Sequence, residues 1–153
     1  MANTFSQIHL QLIFAVKHRN SLINKEFKDD VEKYITGIIK KQNCKPLAIY
    51  CNPDHTHIFL GLHPNVMISD LVKTIKTAST SLIKEKFIRN HIFCWQDGYG
   101  VFSYSNSQIN NVVKYILNQE EHHKKKNFRE EYLDILRRAN IDFDERYVFD
   151  FFD

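Results

Sequence analysis

Cys51-Asn52-Pro53-Asp54-His55-Thr56-His57-Ile58-Phe59-Leu60-Gly61-Leu62 is the stretch on which the fold turns. Pro53-Asp54 sets a tight turn, and residues 56–62 read as the strand that leaves it. Strand side chains alternate faces, so His55 and His57 point the same way, with Cα atoms roughly 7 Å apart. Thr56, Ile58, Leu60 and Leu62 point to the opposite face and can be buried there. One strand therefore carries a core face and a face available for chemistry. Two imidazoles so placed can converge on one metal ion, or they can be ordinary hydrogen-bonded or solvated strand residues.

Working outward from this turn, 47–51 reads as the strand before it, and 8–16 as an earlier one. In that first strand Ile8, Leu10, Leu12, Phe14 and Val16 face a core, while His9, Gln11, Ile13 and Ala15 face the other way. Asn24 can cap a helix over about 25–42, with Phe27, Val31, Tyr34, Ile35, Ile38 and Ile39 as its apolar stripe. Ser69 can cap a second helix running to about residue 90, which buries Leu71, Val72, Ile75, Ala78, Leu82 and Ile83. Residues 101–104 read as a short fourth strand. The order strand, helix, strand, strand, helix, strand, helix predicts an α+β fold. Its core is a ferredoxin-like split βαβ antiparallel sheet with two helices on one face and an added C-terminal helix.

That added helix is Gln108-Ile109-Asn110-Asn111-Val112-Val113-Lys114-Tyr115-Ile116-Leu117-Asn118-Gln119-Glu120-Glu121-His122-His123. Ile109, Val112, Val113, Ile116 and Leu117 recur at helical spacing, and Ser107 or Ser105 can cap its start. Tyr115 and Gln119 are four residues apart, hence neighbours on the flank of the apolar stripe. There they can present their tips to a cleft or simply to water. With two helices on one sheet face, this helix must find the face that shows His55 and His57.

The chain of 153 residues has the size of one domain, with a core over about 5–126 and a C-terminal helix and tail over 127–153. Hydrophobic residues make up 43% and charged residues 25%, ordinary for a soluble globular protein. A net charge of +3 permits a polyanion partner without demanding one. Cys44, Cys51 and Cys94 form no C-x-x-C pair and are expected as free thiols in a reducing compartment. No signal peptide or membrane span is expected, which points to the cytoplasm. Residues 128–139 read as a short helix with Phe128, Tyr132, Leu133, Ile135 and Leu136 apolar. The 142–153 tail is expected to pack Tyr147, Phe149, Phe151 and Phe152 on the body.

His55-Thr56-His57, Tyr115-x-x-x-Gln119, Trp95-Gln96-Asp97-Gly98-Tyr99-Gly100-Val101-Phe102-Ser103 and Asn118-Gln119-Glu120-Glu121-His122-His123 together resemble the single-tyrosine HUH transposases of the IS200-like insertion sequences. The resemblance covers nearly the whole chain. One departure is Thr56, where the family carries a bulky hydrophobe. The resemblance implies that His55, His57 and the Gln119 side-chain oxygen share a divalent ion, Mg²⁺ or Mn²⁺. It implies that Tyr115 is the nucleophile, giving a 5′-phosphotyrosine intermediate and a free 3′ hydroxyl. The substrates implied are single-stranded DNAs with hairpin ends, cleaved and rejoined in a prokaryotic cell, on the nucleoid. The implied active unit is a homodimer in which Tyr115 serves either its own chain or the partner. No nucleotide cofactor is expected, since the chain has no G-x-x-x-x-G-K-[ST] loop.

The basic residues have two readings. Lys17, Arg19, Lys73, Lys76, Lys84, Lys86, Lys114, Lys124 and Lys125 can line DNA or form solvated faces. Two other functions fit the same residues: a catalytically inactive DNA- or RNA-binding regulator on this fold, and a metal-dependent nuclease in which water attacks and Tyr115 is incidental.

Overall fold

A computed structural model describes residues 3–19, 21–87 and 93–148, with the Arg19 side chain excepted. Its elements are β1 (His9–Ala15), α1 (Lys25–Lys41), β2 (Lys45–Cys51), β3 (His55–Gly61), α2 (Ile68–Lys86), β4 (Gly100–Tyr104), α3 (Ile109–Leu117), α4 (Gln119–His123) and α5 (Phe128–Arg138). The strands lie in the order β2-β3-β1-β4, and every neighbouring pair is antiparallel. β3 thus sits between the two strands that α1 connects, and β1 between the two that α2 connects. This is the expected split βαβ sheet.

One sheet face builds the larger core. Leu12, Phe14, Val16, Ile58 and Leu60 meet Phe27, Val31, Ile35 and Ile39 of α1 and Leu71, Val72, Ile75 and Ile83 of α2. Each such side chain contributes roughly 1.5–3 kcal/mol by leaving water. The loop before β4 is tied to this face. Trp95 packs edge-on to Phe14 at 4.8 Å, and its indole N–H donates to Ser79 Oγ at 2.9 Å. Gln96 Oε1 accepts the Ala15 N–H at 2.7 Å. Lys76 Nζ donates to the carbonyls of Gln96 and Gly98 at 2.7 and 2.5 Å. Gly98 has φ +79°, the left-handed region that glycine enters without strain.

The opposite face departs from expectation. It was predicted to carry a single added helix, but two helices share it. α3 packs Val112 and Ile116 onto Phe59 of β3. α5 packs Phe128, Tyr132, Leu133 and Leu136 onto Ile13 and Ala15 of β1 and Phe102 of β4. The sheet is therefore buried on both faces, because the apolar stripe of α5 needs a partner and finds the β1–β4 half. Tyr132 closes so tightly on Gly100 that a Cβ there would lie 2.5 Å from its hydroxyl.

Several boundaries are corrected. α2 starts at Ile68 with Met67 at the N-cap position and no side-chain cap, so Ser69 lies in its first turn, and it ends at Lys86; its expected extension to residue 90 reaches outside the described residues. The 108–123 helix is broken at Asn118 (φ −100°, ψ 23°) into α3 and α4. Leu117, expected in the apolar stripe, is 57% exposed, because the stripe ends with Ile116 where the helix breaks. Ser105, not Ser107, caps the 3-10 turn Asn106–Gln108 that leads into α3, and its N–H donates to Gln108 Oε1 at 2.9 Å. In the tail, Phe143 and Val148 pack beside α5, but Tyr147 is 75% exposed; Phe149, Phe151 and Phe152 lie outside the described residues. The three cysteines are free. No helix among the described residues is long and apolar enough to cross a membrane.

Candidate active site

β3 presents His55 and His57 side by side, with ring centroids 5.2 Å apart. Both were expected to point away from the core. They do leave the larger core, but α4 and α5 cover them, leaving exposures of 1% and 0%. Phe128 of α5 stacks on His55 at 3.9 Å. Each ring is oriented from behind. His55 Nδ1–H donates to Asp54 Oδ1 at 2.7 Å. Gln11 Nε2 donates to His57 Nδ1 at 2.9 Å, and Gln11 Oε1 accepts the Tyr104 hydroxyl at 2.8 Å. Such outer partners set which ring nitrogen faces the site.

Tyr115 reaches the same place from α3, its ring 5.8 Å from that of His57. Gln119 follows the break at Asn118 and is fully buried instead of lying on a flank. Its Nε2 donates to the Tyr115 carbonyl and to Glu131 Oε2, both at 3.3 Å. Its Oε1 accepts from Asn52 Nδ2 at 3.2 Å. The four residues singled out in the sequence are thus brought together within one chain.

Glu131 of α5 stands at the centre of this group, 2% exposed. Its Oε2 accepts the hydroxyl of Tyr115. Its Oε1 lies 3.3 Å from His57 Nε2, 3.5 Å from His55 Nε2 and 3.2 Å from His123 Nε2. His122 Nε2 is 3.3 Å from Oε2. A carboxylate so deeply buried needs compensating partners, and His57 of β3, the Tyr115 hydroxyl of α3 and the Gln119 amide of α4 supply them. Sequence reasoning missed Glu131 and gave His122 and His123 no role of their own. The available signal was position: Glu131 sits inside the apolar stripe of Phe128, Tyr132 and Ile135, where a solvated charge does not belong.

The electrostatics follow from this packing. Burial works against charge on His55, but the carboxylates of Asp54 and Glu131 outweigh it and hold its pKa above the usual histidine value. Burial lowers the pKa of His57, with only partial recovery from Glu131. His123 is pushed down to about 4, chiefly by burial and then by repulsion from His55. Burial raises the pKa of Glu131, yet hydrogen bonds from His55 and His57 overcome it and leave the pKa lowered.

His55, His57, His123 and Glu131 offer ligand atoms that all lie within 4.8 Å of one another. Imidazole nitrogens and a carboxylate are apt donors for a divalent ion, so the residues fit the expected metal. A cavity of about 530 Å³ opens between α3 and α5 onto Tyr115 and Glu131, with Lys126 and Arg138 on its wall.

The proposed DNA-contacting residues are less concentrated. Lys76 donates to the carbonyls of the 96–98 loop and does not stand free. Lys73 and Lys114 are exposed, and Lys17 is half-buried. Lys124 pairs with Glu121 at 2.9 Å. Lys125 lines a recess with Tyr115 and Asn118. The Arg19 side chain lies outside the described residues.

The chain belongs to the IS200-like transposase family, whose model (Transposase IS200 like) matches residues 4–119. It is 26% identical over 122 residues to the ISDra2 transposase TnpA of Deinococcus radiodurans, covering 75% of this chain and 86% of that one. It is 24% identical over 129 residues to the transposase for insertion sequence element IS200 of Salmonella typhimurium, covering 79% and 84%. Among solved structures, a Deinococcus radiodurans transposase superposes with a TM-score of 0.63 at 25% identity, covering 78% of this chain and 95% of that one. The fold also matches a REP-associated tyrosine transposase bound to a REP hairpin, with a TM-score of 0.60 at 14% identity, covering 100% and 93%. His123 and Glu131 lie beyond the stretch that the family model matches.

Proposed function

We propose that this transposase cleaves and rejoins single-stranded DNA bearing hairpin ends through a covalent bond between Tyr115 and a 5′ phosphate. The observation that carries this reading is the convergence of Tyr115 with His55, His57 and Gln119 around the buried Glu131. Tyr115 Oη attacks the scissile phosphorus. The bond from Oη to phosphorus forms, the bond from phosphorus to the 3′ oxygen breaks, and that oxygen leaves as a hydroxyl after taking a proton. A free phenol has a pKa of about 10, so its proton needs a destination. Glu131 Oε2, which already accepts the Tyr115 hydroxyl, is placed to take it.

A divalent ion of the Mg²⁺ or Mn²⁺ kind held by His55, His57 and the Gln119 oxygen would, when bound, polarise the phosphodiester and offset its developing charge. Asp54 and Gln11 orient the two rings. Arg138 on the cavity wall favours the polyanion, beside Lys126, which pairs with Asp134. Because the covalent bond conserves the energy of the phosphodiester, rejoining needs no nucleotide cofactor. The active unit in this reading is a homodimer that holds two DNA ends, each chain supplying a complete site.

The test is trapping of a denaturant-resistant adduct with a single-stranded oligonucleotide. The wild-type protein is expected to form it and Tyr115→Phe is not. An adduct of undiminished yield on the phenylalanine variant overturns the assignment. Cleavage without any adduct favours water as the nucleophile, and binding without cleavage favours a regulator.

A further inference from the structure

We propose that His123 and Glu131 complete the cation site begun by His55 and His57, and that this nitrogen-rich set selects a first-row transition ion such as Mn²⁺ over Mg²⁺. The inference rests on the metal-dependent reading above and extends it to two residues outside the matched family stretch.

The first support is a count of protons and lone pairs. His123 Nδ1 lies 2.8 Å from the carbonyl oxygen of Lys126. A carbonyl only accepts, so Nδ1 carries the proton and Nε2 of the neutral ring presents its lone pair. That lone pair faces Gln119 Oε1 at 2.9 Å and Glu131 Oε1 at 3.2 Å. The Gln119 amide cannot simply turn round, because its Nε2 already serves two acceptors, the Tyr115 carbonyl and Glu131 Oε2. Three electron-pair donors therefore meet with no proton between them.

His55 repeats the pattern. When the ring is neutral its Nδ1–H is spent on Asp54, so Nε2 turns a lone pair toward Glu131 Oε1 at 3.5 Å. The Asn52 amide, donating to both His55 Nε2 and Gln119 Oε1, is a weak local stand-in for positive charge. His57 differs, since Gln11 Nε2 donates to its Nδ1. Gln11 can turn its amide end for end, because the Tyr104 hydroxyl behind it accepts as readily as it donates. The turn would free His57 Nε2 as well. A divalent cation satisfies all these lone pairs at once, whereas a single proton satisfies one.

The second support is rigidity. Phe128, Tyr132 and Leu133 anchor α5 in the core on either side of Glu131, and Phe128 fixes the His55 ring. Ligands held by packed neighbours define a site better than mobile ones. The choice of ion follows from donor type. Three imidazoles suit the later divalent metals, while Mg²⁺ prefers oxygen ligands and retains water.

The test is calorimetric titration of the full chain, stripped with chelator, with Mn²⁺, Co²⁺ and Mg²⁺ separately, together with the visible spectrum of the Co²⁺ form. Mn²⁺ and Co²⁺ are expected to bind at least about tenfold more tightly than Mg²⁺. His57→Ala should abolish binding. His123→Asn and Glu131→Gln should each weaken Mn²⁺ by about 10–100-fold or more and shift the Co²⁺ bands. Melting in chelator checks that each variant is folded. If Glu131→Gln fails to fold, His123→Asn decides, and the ion preference is read on the wild-type protein without any variant. A folded variant that binds Mn²⁺ like the wild type, or Mg²⁺ binding as tightly as Mn²⁺, overturns the inference alone. A wild-type protein that binds none of the ions overturns it together with the metal-dependent reading.

Discussion

The hydroxyl of Tyr115 donates to Glu131 Oε2 of its own chain, and the other carboxylate oxygen lies 3.3 Å from His57 Nε2. One side chain from α5 thus links the tyrosine of α3 to the histidines of β3. A single chain contains the whole constellation, so no partner is needed to bring Tyr115 to the histidine pair.

This geometry makes mixed assemblies informative. Tyr115→Phe and His57→Ala proteins should each fail to form the DNA adduct. Mixing them should not restore it, because a partner's tyrosine has no vacant place beside these histidines. Recovery of adduct in a mixture, in the absence of any wild-type chain, would show that the tyrosine crosses between chains. Native mass spectrometry of the mixture reports whether mixed dimers formed, which the comparison requires.

A second expectation concerns the seat of α5. Gly100→Ala puts a methyl carbon 2.5 Å from the Tyr132 hydroxyl and 2.9 Å from Phe102. Strand β4 or α5 must shift, at a cost of about 1–3 kcal/mol. Urea denaturation should show this loss. Because Glu131 is the neighbour of Tyr132 on α5, the same variant should also weaken Mn²⁺ binding. Unchanged stability would mean that α5 is not closely seated on the sheet.

Acid stability provides a third check. The pKa of His123 lies at about 4, well below the 6.5 of an unperturbed histidine; those of His57 and His122 are also lowered, in each case first by burial. Between pH 6.5 and about 4 the unfolded chain binds more protons than the folded one, so stability falls as pH falls through this window. His55 has the opposite sign: its raised pKa gives stability that is full below pH 6.5 and declines as pH rises through its folded value. In chelator, His123→Asn should flatten the acid limb of stability against pH. An unchanged slope would show that His123 does not titrate in the folded protein as described.

Much of the sheet was legible because its signals are local. Alternation in 8–16 and 56–62 predicted which faces of β1 and β3 meet α1 and α2, and the tight turn at Pro53-Asp54 predicted the β2–β3 pairing. The convergence of His55, His57, Tyr115 and Gln119 was readable from strand parity, helical spacing and family resemblance. Glu131 was not, because its neighbours in space come from residues 55, 57, 115 and 119, and no short-range pattern records that.

By itself the sequence determined the order of elements, the βαβ connectivity and the shared face of the two histidines, since these follow from period-two and period-3.6 patterning along a few residues. Tertiary structure alone decided that both sheet faces are buried, that the 108–123 helix breaks at Asn118, and that the carboxylate of α5 fills the site. The physical reason is that these outcomes depend on which apolar surfaces compete for the same sheet face. α5 wins the β1–β4 half for its apolar stripe and draws Glu131 under it, where only histidine, tyrosine and amide partners brought from distant elements can compensate the buried charge.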